Sequence, residues 1–159
     1  MANLKVLDPV SAGNTIEELA ILQASLDALC IKTRGFTTNL LSESFYEYHS
    51  FFNLTIEFLQ KASYDTAERI RSVRGWANHS VEMIEQKSII RDPAGRVTDV
   101  QMMFVELTDD YTKLSLLTRE IFAMSGPLAD AGTIALTTQM TLRLEHFLWE
   151  IRVMAGEKQ

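Results

Sequence analysis

The chain has 159 residues, of which 47% are hydrophobic and 23% are charged, as expected for one globular domain with its own core. Its net charge of −6 argues against a nucleic-acid surface, because phosphate binding needs clustered Lys and Arg. No apolar run approaches the roughly 18 residues that span a bilayer, and the first residues lack a signal-peptide core. Cys30 is the only cysteine, which excludes an internal disulfide. We therefore expect a cytoplasmic protein.

The first part of the chain predicts an arm followed by a helix. Residues 1–14 contain the turn-forming pairs Asp-Pro and Gly-Asn, which predict an irregular N-terminal arm. Thr15-Ile-Glu-Glu18 fits a capping box, so the first helix is expected to start at Thr15. It is expected to end near Thr38, because poor helix formers follow Gly35.

The segment Ser44–Val73 predicts the longest helix, because it contains neither Gly nor Pro and both residues break helices. Ser44-Phe-Tyr-Glu47 fits a second capping box. A helix that is apolar on two faces must be covered on two sides, and a partner subunit is the expected cover for one of them. The first apolar face holds Phe45, Phe52, Ile56, Leu59 and Ala62, and the second stripe holds Phe51, Leu54 and Phe58.

After Gly75 the pattern predicts a long connection and two more long helices. A short helix is expected over 80–86, inside the connection. A third capping box at Thr98 opens a helix that is expected to reach about Met124. The last long helix is expected over 130–155, because turn-forming residues precede it and Gly follows it.

These elements predict an all-α fold, a ferritin-like four-helix bundle over 15–155 with a short helix in its long crossover. Residues 156–159 are expected to form a C-terminal tail. Di-iron bundles of this class carry Glu-x-x-His pairs aimed into the core, and this chain has none. The residues three places before His49, His79 and His146 are Tyr46, Trp76 and Arg143.

Several short motifs occur in a fixed order along these helices: Ala67-Glu-Arg-Ile70, then Asp130-Ala-Gly-Thr133, then Glu145-His-Phe-Leu-Trp149-Glu-Ile-Arg152. They resemble the AERI signature and the D-x-x-T and E-x-x-x-W-x-x-R patterns of the Dps family, the mini-ferritins. Asn39 and Phe45 fall where the family's H-W-N-x-x-G-x-x-F segment has Asn and Phe. The resemblance runs from about Ile16 to Arg152 and implies a spherical dodecameric shell.

The resemblance also implies an iron site between two subunits, with two histidines from one chain and an aspartate and a glutamate from the other. Nitrogen and oxygen ligands of this kind suit Fe(II). Carried over by position, the second histidine falls on His49 and the glutamate on Glu68. The first histidine falls on Thr37, a weak neutral ligand, and the aspartate falls on Tyr64, whose phenol keeps its proton until a metal displaces it. Two of the four expected ligands are therefore replaced.

Two further carboxylates have other expected places: Asp65 is a weaker candidate ligand, and Asp130 is a candidate pore residue. Asp65 follows Tyr64 directly but points about 100° away round a helix, so it approaches the site only if the helix is rewound or the register differs.

The resemblance implies an iron entrance through a pore lined by acidic residues at the start of the last helix. Asp130 matches the first of these positions, whereas Ala135 replaces the second, which weakens the focusing of cations.

The resemblance implies a protein that binds and oxidises Fe(II), usually with peroxide, and stores ferric iron, protecting against oxidative stress. Because half of the ligand set is replaced, the alternative is an impaired or inactive shell with a structural or co-assembly role. DNA binding is not expected, since residues 1–14 have one lysine. His49 has an alternative role as an interface histidine without metal, and Glu68 has one as an ion-pair partner of Arg69 or Arg71 of another helix. Trp149 is expected in the core.

Overall fold

The structure, a computed structural model, describes residues 9–93, 95–128 and 130–157. Over these ranges the chain is all-α and has no strand, which confirms the predicted all-α class. The helix α1 packs against α2, α4 packs against α5, and α1 also contacts α4 and the short helix α3. None of the described helices combines the length and the hydrophobicity of a membrane span. The five helices are α1 (Pro9–Thr38), α2 (Phe45–Ser72), α3 (Val81–Lys87), α4 (Val100–Ser125) and α5 (Ala131–Met154).

The helix α1 begins at Pro9, earlier than the predicted start at Thr15, and it replaces the predicted arm over 9–14. Proline is accepted in a first turn because its missing amide would have no partner there. Glycine and asparagine, which predicted a turn, continue the helix at a cost of about 1 kcal/mol or less each. Thr15 therefore lies buried inside the helix instead of capping it. The remainder of the predicted arm, residues 1–8, lies outside the described residues.

The helix caps differ from two of the predicted capping boxes. Ser44 is the N-cap residue of α2, but its side chain makes no capping hydrogen bond. Its amide donates to Ser42 Oγ at 3.2 Å, so the position that Glu47 would fill in a capping box is taken. At α4 the cap is Asp99, not Thr98, because the Asp99 carboxylate accepts from two amides of the first turn.

Aromatic rings fill the centre of the bundle. The Phe52 and Phe104 ring centroids lie 5.5 Å apart, and those of Tyr111 and Phe147 lie 6.2 Å apart. Burial raises the pKa of the Tyr111 phenol. In the described residues, aromatic rings therefore occupy the part of the bundle in which Glu-x-x-His pairs would hold a di-iron centre.

One ion pair crosses the interior between α1 and α4. Lys32 Nζ lies 2.6 Å from Asp110 Oδ2, and each side chain is 2% exposed. Glu106 lies at 3.7 Å from the same ammonium group. Burial raises the pKa of the Asp110 carboxyl, and the bond from Lys32 opposes that rise. A pair of this kind is sensitive to loss of either partner, because the remaining charge is then buried alone.

The outer apolar residues of α2 and α5 are only partly covered by the chain itself. On α2 the second stripe splits, with Phe51 buried and Leu54 58% exposed. On α5 the prediction of Trp149 in the core is wrong, since its side chain is 51% exposed. Trp149 lines a groove between α4 and α5 together with Leu116 and Val153. Helical periodicity identifies apolar positions, but it does not say whether the same chain covers them.

Candidate metal site on helix α2

His49 lies near the start of α2 and is held by two neighbours on its own helix. Its ring stacks on Phe45 with centroids 5.1 Å apart and planes at 26°. Its Nδ1 lies 3.2 Å from the Asn53 amide nitrogen, one turn further on. Because the amide nitrogen donates, Nδ1 accepts this bond and the neutral ring carries its proton on Nε2. Binding a metal at Nε2 would require the Asn53 amide to turn over, so that its oxygen accepts from an Nδ1–H group. Partners of this type orient histidine ligands in metal sites.

Thr37, at the expected position of the other histidine, lies in the last turn of α1 and is buried. Its hydroxyl donates to the Thr33 carbonyl at 2.8 Å, a bond that Ser and Thr side chains commonly make inside helices. The hydroxyl proton is therefore used within α1. This position supplies no nitrogen ligand and no charge to a neighbouring site.

Tyr64 and Asp65 are adjacent but face different surroundings. The Tyr64 side chain is 65% exposed. The Asp65 carboxylate accepts from Lys61 Nζ at 2.6 and 2.9 Å and lines a groove of about 540 Å³ between α2 and α5. Asp65 would have to leave Lys61 and turn by about 100° to take the place of Tyr64. The geometry therefore gives the Asp65 candidacy no support.

Glu68 is exposed near the end of α2. The Arg69 and Arg71 side chains of its own helix are engaged elsewhere in the chain. Arg69 binds Asp130, while Arg71 donates to the Gly75 carbonyl at 2.6 Å. Within the described ranges no salt bridge involves Glu68, so its carboxylate is available to a ligand.

Asp130 caps α5 and ties it to α2. Its carboxylate accepts from the Thr133 amide at 3.1 Å, from the Thr133 hydroxyl at 2.6 Å and from the Arg69 guanidinium. A Cβ added at Gly132 would lie 2.5 Å from Arg69 Nη1, so a larger residue at this position requires the guanidinium to shift. The D-x-x-T motif is therefore a helix cap in this subunit, and a role for Asp130 in lining a pore stays a prediction.

His49 and Glu68 cannot hold the same ion within one chain. They lie 19 residues apart on one straight helix, which corresponds to roughly 28 Å at about 1.5 Å per residue. In agreement with this separation, the part of the chain that the structure describes contains no group of three or more His, Cys, Asp or Glu side chains able to hold a metal. A site that uses both residues needs a second copy.

Comparison with known proteins was made at the level of families, curated proteins and solved structures. No family model and no curated protein matches the chain. Among solved structures, a Dps protein from Vibrio cholerae O1 matches with a TM-score of 0.89 and 26% identity, over 97% of each chain. The chain has the Dps fold. The resemblance that the short motifs indicated is thereby confirmed.

Other Dps structures agree with this chain over nearly its whole length. The antigen TpF1 from Treponema pallidum matches with a TM-score of 0.91 at 18% identity, over 96% of this chain and 98% of its own. An archaeal Dps homologue from Halobacterium salinarum gives a TM-score of 0.91 at 18% identity, over 100% and 88%. The Vibrio cholerae protein is a member of a broad superfamily of ferritin-like diiron-carboxylate proteins. For this chain, these similarities support the fold and leave the ligand set to its own residues.

Proposed function

We propose that the chain is a Dps-like mini-ferritin, a subunit of a cytoplasmic dodecameric shell that oxidises Fe(II) with peroxide and stores ferric iron. In this role it would protect the cell against oxidative stress. The observation that supports the proposal is the presence, on a Dps fold, of His49 and Glu68 with no ion-pair partner among the described residues. Iron is the substrate and the cargo of this reaction.

The separation of the two ligands indicates how the site would be completed. In a two-fold dimer each contact occurs twice with the roles exchanged. Two α2 helices that run antiparallel bring His49 of one copy beside Glu68 of the other, and the axis crosses α2 near residues 58 and 59. The dimer therefore contains two equivalent sites, each with one imidazole and one carboxylate. Both are ligands that iron accepts.

The chemistry asked of each site is limited. Each Fe(II) ion gives one electron to peroxide, and two such ions reduce one hydrogen peroxide to two waters with uptake of two protons. The protein residues hold the metal and stabilise the higher charge of the ferric product, for which Glu68 supplies a negative charge.

A second candidate is an inactive or impaired shell that has a structural role or co-assembles with an active paralogue. The observations in its favour are the bond from Thr37 to the Thr33 carbonyl and the bond from Lys61 to Asp65. Both hold groups at or beside the replaced ligand positions in contacts within the chain. Only two of the four expected ligands, His49 and Glu68, would then remain for iron.

The rate of Fe(II) oxidation by stoichiometric hydrogen peroxide separates the two candidates. We expect the assembled protein to exceed the protein-free rate, and His49→Ala to lower the protein-dependent rate on the order of tenfold or more. His146→Ala is the matched control, because that histidine is exposed on α5 and pairs with Glu150 at 3.6 Å. Light scattering must show the same shell mass for each variant.

Three outcomes would contradict the proposal. A wild-type rate equal to the blank favours the inactive shell. Equal rates in His49→Ala and wild type remove His49 from the site. A measured mass equal to one or two chains would show that no shell forms.

A further inference from the structure

We propose that Tyr64 binds ferric iron as a phenolate and replaces the missing carboxylate of the site. This inference rests on the proposed function, because it places the tyrosine beside the same iron. The general reason is that Fe(III) is a hard, highly charged ion that favours anionic oxygen, and tyrosine is a known ferric ligand in proteins.

Tyr64 lies where such a ligand is needed. It precedes Glu68 by one helical turn, so the two side chains lie about 40° apart round α2 and roughly 6 Å apart along it. Its side chain is 65% exposed. Within the described residues it makes no aromatic contact and no side-chain hydrogen bond, in contrast to most aromatic residues of α2. The hydroxyl is therefore available to a group outside the chain.

The neighbours of Tyr64 are bound within the chain and cannot take its place. Ser63 donates its hydroxyl to Asp27 at 2.5 Å. Asp65 is held by Lys61 on the side of α2 that faces α5. Of the three consecutive polar side chains, Tyr64 alone projects away from such contacts.

The register of the proposed dimer agrees with this assignment. The antiparallel pairing that places His49 beside Glu68 also places Asn53 beside Tyr64, because each lies one turn nearer to the axis. Each site would then have His49 and Asn53 from one copy and Tyr64 and Glu68 from the other. The Asn53 amide already contacts His49, so it would sit between the imidazole and the phenol.

The binding step moves a proton and no electrons. The Tyr64 oxygen forms a bond to Fe(III), and the phenol proton leaves to solvent. No oxidant is needed when iron is supplied in the ferric state. When iron enters as Fe(II), the peroxide of the proposed function supplies the oxidation. Only the phenolate among these ligands gives an intense visible charge-transfer band with Fe(III), which makes the bond directly observable.

The test uses the assembled full chain titrated with ferric nitrilotriacetate, recorded as a visible spectrum against protein-free reagent. We expect a visible band in the wild type and its loss in Tyr64→Phe, which preserves the ring. Tyr46→Phe is the matched control: that tyrosine is 84% exposed on the same helix, and the proposed register places it outside the site. The control variant should keep the band.

No band in the wild type, or a band that survives Tyr64→Phe, would overturn the inference. Should Tyr64→Phe fail to assemble, resonance Raman spectra of the wild type decide the matter, since absent phenolate vibrations exclude tyrosine. The proposed function fails separately. Peroxide-driven oxidation without a band retains the ferroxidase and removes Tyr64, whereas a band without oxidation retains the ligand and removes the ferroxidase.

Discussion

The interior between α1 and α4 and the outward face of α2 use charged side chains in opposite ways. In the interior, Lys32 and Asp110 satisfy each other within one chain and are almost completely buried. On α2, His49 and Glu68 are separated by most of the helix, and neither has an ion-pair partner in the described part of the chain. The interior pair is completed within one subunit, whereas under the proposed function the candidate site needs two.

The largest effect is expected when the interior pair is broken. Lys32→Ala leaves Asp110 buried without its partner, which should destabilise the fold by about 3–5 kcal/mol. Lys61→Ala is the matched control, because Lys61 also lies 2.6 Å from its aspartate but is 75% exposed. For an exposed pair of this kind we expect a loss of about 0.5 kcal/mol or less. Urea unfolding at equal subunit concentration measures both.

Equal losses in the two variants would contradict the contrast between interior and surface. A double variant, Lys32→Met with Asp110→Leu, tests the cause. It removes both charges and keeps apolar volume, so it should recover most of the stability. If it remains as unstable as Lys32→Ala, lost packing explains the effect.

An intermediate effect is expected at the tie between α2 and α5. Gly132→Ala places a methyl group against the Arg69 guanidinium and so disturbs its bonds to Asp130 and Thr133. Charge-assisted hydrogen bonds of this type contribute about 1.5–3 kcal/mol, while alanine gains up to about 1 kcal/mol over glycine in a helix. We expect a net loss of about 1–2 kcal/mol in urea unfolding.

The same substitution should reverse its sign when the guanidinium is absent. In an Arg69→Ala background the methyl group meets no guanidinium, so Gly132→Ala should be neutral or stabilising. A loss of the same size in both backgrounds would show that the backbone, not Arg69, rejects the methyl group.

The smallest effect is expected at Asp27, which is only partly buried and links α1 to α2 through Ser63. Burial raises the pKa of the Asp27 carboxyl, and the hydrogen bond from Ser63 opposes that rise. Its contribution to stability is therefore present in acid, below the unfolded pKa, and is lost as the pH rises through the folded pKa. Asp27→Asn removes the ionisation and should stabilise the fold at neutral pH by on the order of 1 kcal/mol or less.

The decisive measurement is the difference in unfolding free energy between Asp27→Asn and the wild type as a function of pH. The gain from Asp27→Asn should shrink as the pH falls towards the ordinary range of a carboxyl group, where both proteins carry a neutral side chain. A gain that is the same at every pH would trace to packing, and a loss at neutral pH would mean that the charged form is the favoured one.

The sequence predicts the bundle well where local signals and packing agree. The absence of Gly and Pro placed α2 within a residue of its observed ends, and a run of poor helix formers placed the end of α1 at Thr38. The start of α1 was missed because turn-forming residues are tolerated inside a helix that packing stabilises. Trp149 was misplaced because helical periodicity cannot separate a core residue from one left exposed by the chain.

The candidate ligands stay predictions, and the sequence did not predict most of the contacts that their side chains make in the structure. Motif spacing placed the predicted members of the candidate site on α1 and α2 and at the N-cap of α5. The Lys61–Asp65 bond was readable in principle, since charges four residues apart on a helix are neighbours. The bond from Arg69 to Asp130 joins residues that are far apart in the sequence, so no local sequence pattern predicts it.

The placement of His49 and Glu68 at opposite ends of one helix has a genetic consequence under the proposed pairing. A shell of His49→Ala subunits and a shell of Glu68→Gln subunits would each have a defect at every site. In a dimer of one His49→Ala subunit and one Glu68→Gln subunit, however, one site contains both substitutions and the other contains neither. Two defective alleles expressed together would therefore complement each other. A paralogue that has lost one ligand would still supply its other ligand to the site that it shares with a neighbour.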